Sequence, residues 1–390
     1  MNRRIFLSLF VVLSTLCSLT RAADQTQSLV IRAGKIWTVT DGVITNGVVV
    51  INGGKIETVG EKADIPVAAR TLEMSGKHVI PGFIDAHCHI GLALNVLGEM
   101  DETVSAVAAD MQILDAFNPQ EGSVRKALRS GVTTVLLSPG NKNPIAGQTA
   151  VVKLDAGKAN GWILKRNAGV KFSLTDEALM PDRKPTSRAG LMALITDELN
   201  QAKAHQAGAF DPGREVLKRV ADADLRAYVC AYTVDEIASA MTIVDEFGLN
   251  AVLVGAGQGD EIADMIAKRD LPVIYPSLLL FSRDKDLRRA GKLAGGVVKL
   301  AFGSAAPKTA LSDLRTSAIL AAKYGLDTKT ALRSLTIDAA EILGVADRVG
   351  SIQQGKDADL VILNGDPLQL TSSVEMVLIN GNIVYQRRQE

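Results

Sequence analysis

Between residues 79 and 324, short apolar runs alternate with helix-like stretches, and no other feature of the chain restricts its fold as much. The runs fall at 79–80, 132–137, 170–172, 227–229, 251–254, 272–275 and 297–302. Helical patterns occupy 189–207, 234–247, 260–268 and 308–324. Buried strands that alternate with helices over about 250 residues read as an α/β (β/α)8 TIM barrel. The rival is a doubly wound sheet with a dinucleotide loop, suggested by Gly255-Ala256-Gly257-Gln258-Gly259-Asp260. Its third glycine comes one position too early for the phosphate-binding spacing, and the first strand has no such loop.

The two ends read differently from the middle. Residues 47–51 and 55–59 are β-rich runs around Asn52-Gly53-Gly54, and residues 377–379 and 382–385 repeat the pattern around Asn380-Gly381. An Asn-Gly step tolerates positive φ and is the strongest short hairpin signal. The expectation is a small β-sandwich built from both chain ends. Its parts are residues 23–77 and 347–390, with the barrel over 78–346 and a leader over 1–22.

The leader has Arg3 and Arg4 before an apolar run that ends near Leu19, then Thr20-Arg21-Ala22 as a cleavage signal. It is too short for a stable membrane span and reads as a signal peptide, which implies an exported, periplasmic or secreted protein. Leu16 is bulky where a lipid-anchor site at Cys17 wants a small residue. No later segment is apolar enough to span a membrane. Lys+Arg and Asp+Glu both total 43, so no charge bias points to nucleic acid. Cleavage leaves Cys88 and Cys230, without zinc-finger spacing. A disulfide between them is open in an oxidising compartment.

The chain has four histidines, and two of them stand at i and i+2 in Val79-Ile80-Pro81-Gly82-Phe83-Ile84-Asp85-Ala86-His87-Cys88-His89. Residues two apart on a strand share a face. At the C-terminal end of a barrel strand that face lines the mouth, so His87 and His89 are candidate ligands of a divalent metal. Cys88 points the other way, as a small buried hydrophobe. His78 and His205 read as ordinary edge or surface residues.

The run from Pro81 to His89 resembles the first-strand signature of the amidohydrolase superfamily. Leu335-Thr336-Ile337-Asp338-Ala339-Ala340-Glu341-Ile342-Leu343-Gly344 is similar to that family's last barrel helix. The segment from Gly355 to Val361 resembles its return to the β-domain, and 131–135 with 146–154 resemble the imidazolonepropionase-like subgroup. The resemblance implies a hydrolase of non-peptide C–N bonds, with one or two metals that activate water. It implies a bridging Lys or Glu at strand 3 or 4, a His on each of strands 5 and 6, and a catalytic Asp on strand 8.

Several of those positions are substituted. The strand-5 ligand falls on Cys230, the strand-6 ligand on Gly255, and the strand-8 acid on Ala305. A methyl group neither binds a metal nor accepts a proton. The bridging group falls on Asp176, or on Lys171 if that lysine is carboxylated, and Tyr232 shares a face with Cys230. Asp176 and Tyr232 are therefore the catalytic candidates. Asp176, Cys230 and Lys171 are the weaker metal ligands beside His87 and His89. One expectation is a reduced hydrolase with a single divalent ion, zinc first, acting on a small-molecule substrate. The alternative is an inactive homologue that binds a ligand or supports an active paralogue in an oligomer.

Overall fold

The structure, a computed structural model, describes residues 28–92, 99–155, 162–206, 210–295, 299–308, 310 and 313–388. The leader and Cys17 lie outside the described residues. Four N-terminal strands come first: β1 (Leu29–Trp37), β2 (Val43–Asn52), β3 (Lys55–Gly60) and β4 (Arg70–Pro81). The barrel strands follow: β5 (Phe83–Cys88), β6 (Val132–Leu137), β7 (Ile145–Lys153), β8 (Ile163–Ser173), β9 (Ala227–Ala231), β10 (Ala251–Gly255), β11 (Val273–Pro276) and β12 (Leu300–Gly303). Three more complete the chain: β13 (Leu360–Leu363), β14 (Val374–Ile379) and β15 (Asn382–Gln386).

The chain ends do join in a small β-domain, whose strands form one seven-stranded sheet of order β15-β14-β13-β4-β1-β2-β3. The joint is the antiparallel pair β4–β13, with Leu360 opposite Pro81. Both Asn-Gly hairpins form. Gly53 and Gly54 have φ of 57° and 80°, and Asn380 and Gly381 have φ of 49° and 73°. These are the left-handed values that a two-residue hairpin turn requires.

The second sheet runs β5 to β12 in sequence order and curls into a nearly closed barrel. It departs from the all-parallel expectation at β7, which is antiparallel to both neighbours, and among the described residues no helix lies between β6, β7 and β8. Beyond β12 the backbone closes onto β5: Ala305 N–H donates to the His87 carbonyl at 2.9 Å, and His89 N–H to that of Ala306 at 2.7 Å. Gly303 permits this approach, because a Cβ there would lie 2.8 Å from the His87 Cβ. The barrel interior is filled by Ile84, Ala86, Leu136, Val151, Tyr228, Val252, Val254, Ile274 and Ala301. A larger apolar layer packs between the strands and the outer helices.

The two sheets are locked by Lys153 at the end of β7. Its buried ammonium donates to Asp357 at 2.8 Å, Asp359 at 3.0 Å and the Asn380 Oδ1 at 2.6 Å. Asp357 also pairs with Lys55 at 3.0 Å and Arg348 at 2.6 Å. Among the described residues no helix is long and apolar enough to cross a membrane.

Candidate active site at the mouth of the barrel

His87 and His89 face the mouth together, ring centroids 5.3 Å apart and edge to face. Asp85 fixes the strand beneath them. It is fully buried and accepts from the Ser304 N–H at 2.9 Å, the Ser304 hydroxyl and the His87 N–H at 3.3 Å. Burial pushes its carboxyl up to about 6, although the bonds from Ser304 and His87 pull the other way. Cys88 turns away into the layer beneath the helices, as its alternation implies, and its sulfur reaches the Leu136 carbonyl.

Lys171, on β8, is fully buried and enters the same space. Its Nζ lies 3.0 Å from His87 Nε2, and 3.4 Å from both the Ser138 hydroxyl and the Pro139 carbonyl. Burial lowers its basicity, and nearby Cys230, Asp101 and Glu177 oppose that shift. His87 is held far below the ordinary imidazole range, first by burial and then by Lys171. A neutral His87 accepts from Lys171 at Nε2. His89 Nδ1 lies 2.8 Å from the Ser138 carbonyl and donates to it, which leaves Nε2 as its acceptor nitrogen. Burial and then Lys171 depress His89 to about 3.

Cys230 and Tyr232 stand on the far wall. A capping box positions Tyr232: Thr233 caps the helix Val234–Phe247, and the Glu236 carboxylate reaches back to the Tyr232 N–H at 2.7 Å. The Tyr232 hydroxyl bonds with Cys230 and with Asn141. Burial raises the Cys230 thiol, with Lys171 and the bond from Tyr232 opposing. Both cysteines are free, so the disulfide left open above does not form.

Gly255 explains the missing strand-6 side chain. A Cβ there would lie 2.6 Å from the Tyr232 ring, and Gly255 has φ of 97°. The phenol occupies the space into which a histidine at 255 would project. Ala305 also has positive φ, 51°, and its amide is spent on the His87 carbonyl.

Asp176 requires a correction. The chain turns outward after β8, and the Asp176 side chain is 70% exposed and pairs with Arg188 at 3.0 Å. It faces solvent and not His87 and His89. The next residue, Glu177, is exposed as well but reaches the rim of the site, where it accepts from Asn141 Nδ2 at 3.1 Å and acts on Lys171, Cys230 and Tyr232. Sequence reasoning missed Glu177, Asn141 and Asp101. Asp101 is buried against Gly140, where a Cβ would lie 2.1 Å from its carboxylate, and it accepts from the Lys142 N–H at 3.1 Å. The signal for this group was Ser138-Pro139-Gly140-Asn141 directly after β6, at the end of the barrel where sites form.

A family model described as "Amidohydrolase family" matches residues 301–385. A solved amidohydrolase from Thermotoga maritima is 30% identical, superposes with a TM-score of 0.85, and covers 92% of this chain and 100% of its own. The chain belongs to the amidohydrolase superfamily. An imidazolonepropionase of Thermoplasma acidophilum is 23% identical over 88% of this chain and 90% of its own length. Amidohydrolase tasK of Hapsidospora irregularis is 22% identical over 89% of this chain, which spans only 40% of that larger protein. This amidohydrolase therefore has relatives that are hydrolases of C–N bonds.

Amidohydrolases typically bind a divalent metal. Tested against that role, the donors fall short. A catalytic zinc takes three protein ligands and keeps an open position. Among the described residues no three His, Cys, Asp or Glu side chains come together in a metal-binding group. His87 Nε2 is occupied by the Lys171 amine, and the Cys230 sulfur is bonded to the Tyr232 hydroxyl. The arrangement as it stands does not fit the ion.

Proposed function

We propose that this amidohydrolase has given up metal-dependent hydrolysis and uses the barrel mouth to bind a small polar molecule, with Lys171 in the place of the ion. The observation that carries this reading is the 3.0 Å contact between Lys171 Nζ and His87 Nε2, with no third donor beside them. The groups around the mouth are mostly hydrogen-bond donors: the Lys171 amine, the Tyr232 hydroxyl and the Asn141 amide. They suit a carbonyl or carboxylate, the groups found on a cyclic amide and on its ring-opened product. Without the strand-8 acid, no side chain stands where a water-derived proton would be accepted, and general-base catalysis is worth about 10²–10⁴-fold. The same reading makes the chain an exported one, on the strength of its leader, and N-terminal sequencing of the purified protein tests that part.

One observation favours a second reading. Lys171 is fully buried beside His87 Nε2, and a lysine amine in its uncharged form can take up carbon dioxide as a carbamate. His87, His89 and a carboxylated Lys171 would then hold one ion, zinc first. Metal analysis by inductively coupled plasma mass spectrometry separates the two. The proposal expects no stoichiometric zinc, iron or manganese and no metal-dependent turnover of amides or cyclic amides. About one ion per chain, lost in the His87→Ala/His89→Ala double variant, would overturn it.

A further inference from the structure

At the opposite end of the barrel from His87 and His89 lies a pocket of about 360 Å³, lined by residues that begin strands or precede them. Lys165 and Arg166 come from the start of β8, Arg226 immediately precedes β9, and Arg219 projects from the end of the helix Pro212–Ala221. Four cationic residues thus line one cavity, against a single carboxylate on its rim, Asp224, and of these Arg226 also donates to the Ile342 carbonyl. Among the described residues none of the four lies within salt-bridge distance of any carboxylate, while eighteen ion pairs form elsewhere. In a chain with equal numbers of acidic and basic residues, such a concentration of unpaired cations is a local choice and not a consequence of composition.

One further observation supports a ligand there. Lys165 is held below its ordinary basicity, first by burial and then by repulsion from Arg226, with Asp347 opposing. A bound anion would relieve that repulsion.

We propose that this pocket is a binding site for a small multivalent oxyanion, a di- or triphosphate group or a compact polycarboxylate. The guanidinium forks of Arg166, Arg219 and Arg226 match such oxygens bidentately. The volume equals about twelve waters at about 30 Å³ each, enough for a diphosphate-sized ion and too small for a polymer chain. The ligand would pin the N-terminal ends of β8 and β9, whose far ends carry Lys171 and Cys230. The site is independent of the chemistry at the mouth.

The experiment is calorimetric titration and thermal unfolding of the purified protein with pyrophosphate, against sodium chloride at equal ionic strength. Saturable binding is expected, with a melting temperature that rises with pyrophosphate and not with chloride. The Arg166→Ala/Arg219→Ala double variant removes two exposed side chains and should weaken binding about tenfold or more with its fold intact by circular dichroism. Citrate forms the second arm: binding of pyrophosphate alone assigns phosphate chemistry, and equal binding of both assigns multivalent anions as a class. No saturable binding above the chloride control, or undiminished binding by the double variant, would overturn the proposal.

Discussion

Lys153 and Lys171 are both fully buried on neighbouring strands of one barrel, yet their surroundings are opposite. Lys153 is embraced by Asp357, Asp359 and Asn380, so its charge is matched where it stands. Lys171 meets an imidazole nitrogen, a hydroxyl and a carbonyl, with no carboxylate in contact. A buried charge costs several kcal/mol unless it is paired and hydrogen-bonded. Burial alone therefore does not mark a functional lysine. The partner does: Lys153 joins two sheets, and Lys171 is left with lowered basicity beside His87 at the mouth.

Substitutions test this contrast. Lys153→Met should be the most damaging, because it strands Asp357 and Asp359 in the interface, and urea unfolding should show a loss of roughly 3–5 kcal/mol. Acid should narrow that gap. Asp357 is buried, which pushes it up, but bonds and charge from Lys153, Lys55 and Arg348 win and hold it below 3.8. Its contribution is complete above 3.8 and is lost as pH falls through the lower folded value. In the variant Asp357 keeps Lys55 and Arg348, but Asp359 loses the cation that opposes its burial, so its carboxyl rises further and the fold gains as pH falls. A deficit that stays constant across acid titration would contradict this account of the lock.

Gly255→His ranks next. The new side chain must displace the Tyr232 ring and adopt an unfavourable φ, for a loss of about 1–3 kcal/mol. In a double-mutant cycle, Tyr232→Ala should recover about 1 kcal/mol of it. Simple additivity would mean the phenol is not what excludes a side chain at 255. Lys171→Met should change stability least, by less than about 1 kcal/mol, since an apolar chain of similar length replaces a poorly matched amine. A loss as large as that of Lys153→Met would erase the distinction between the two lysines.

Local signals in the sequence proved informative where the physics is local. The two Asn-Gly hairpins and the helix Val234–Phe247 formed where read. Period-two alternation put His87 and His89 together and Cys88 behind them. What escaped depends on distant partners. The direction of β7 is set by pairing with β6 and β8, and an apolar run carries no direction of its own. The misreading at Asp176 came from a short 3-10 turn over Asp176–Ala178, where strand periodicity ends and the chain leaves the barrel wall. Glu177, Asn141 and Asp101 gather from three separate loops, which no single-strand pattern brings together.

The phenol over Gly255 also makes the present state hard to leave. A lineage that regained a histidine at 255 by a single change would meet the Tyr232 ring at 2.6 Å before it met any metal. The intermediate is the crowded protein, less stable than either neighbour and with no new chemistry to favour it. Tyr232 thus works as a ratchet, since two substitutions must arrive together before the older ligand set can begin to return.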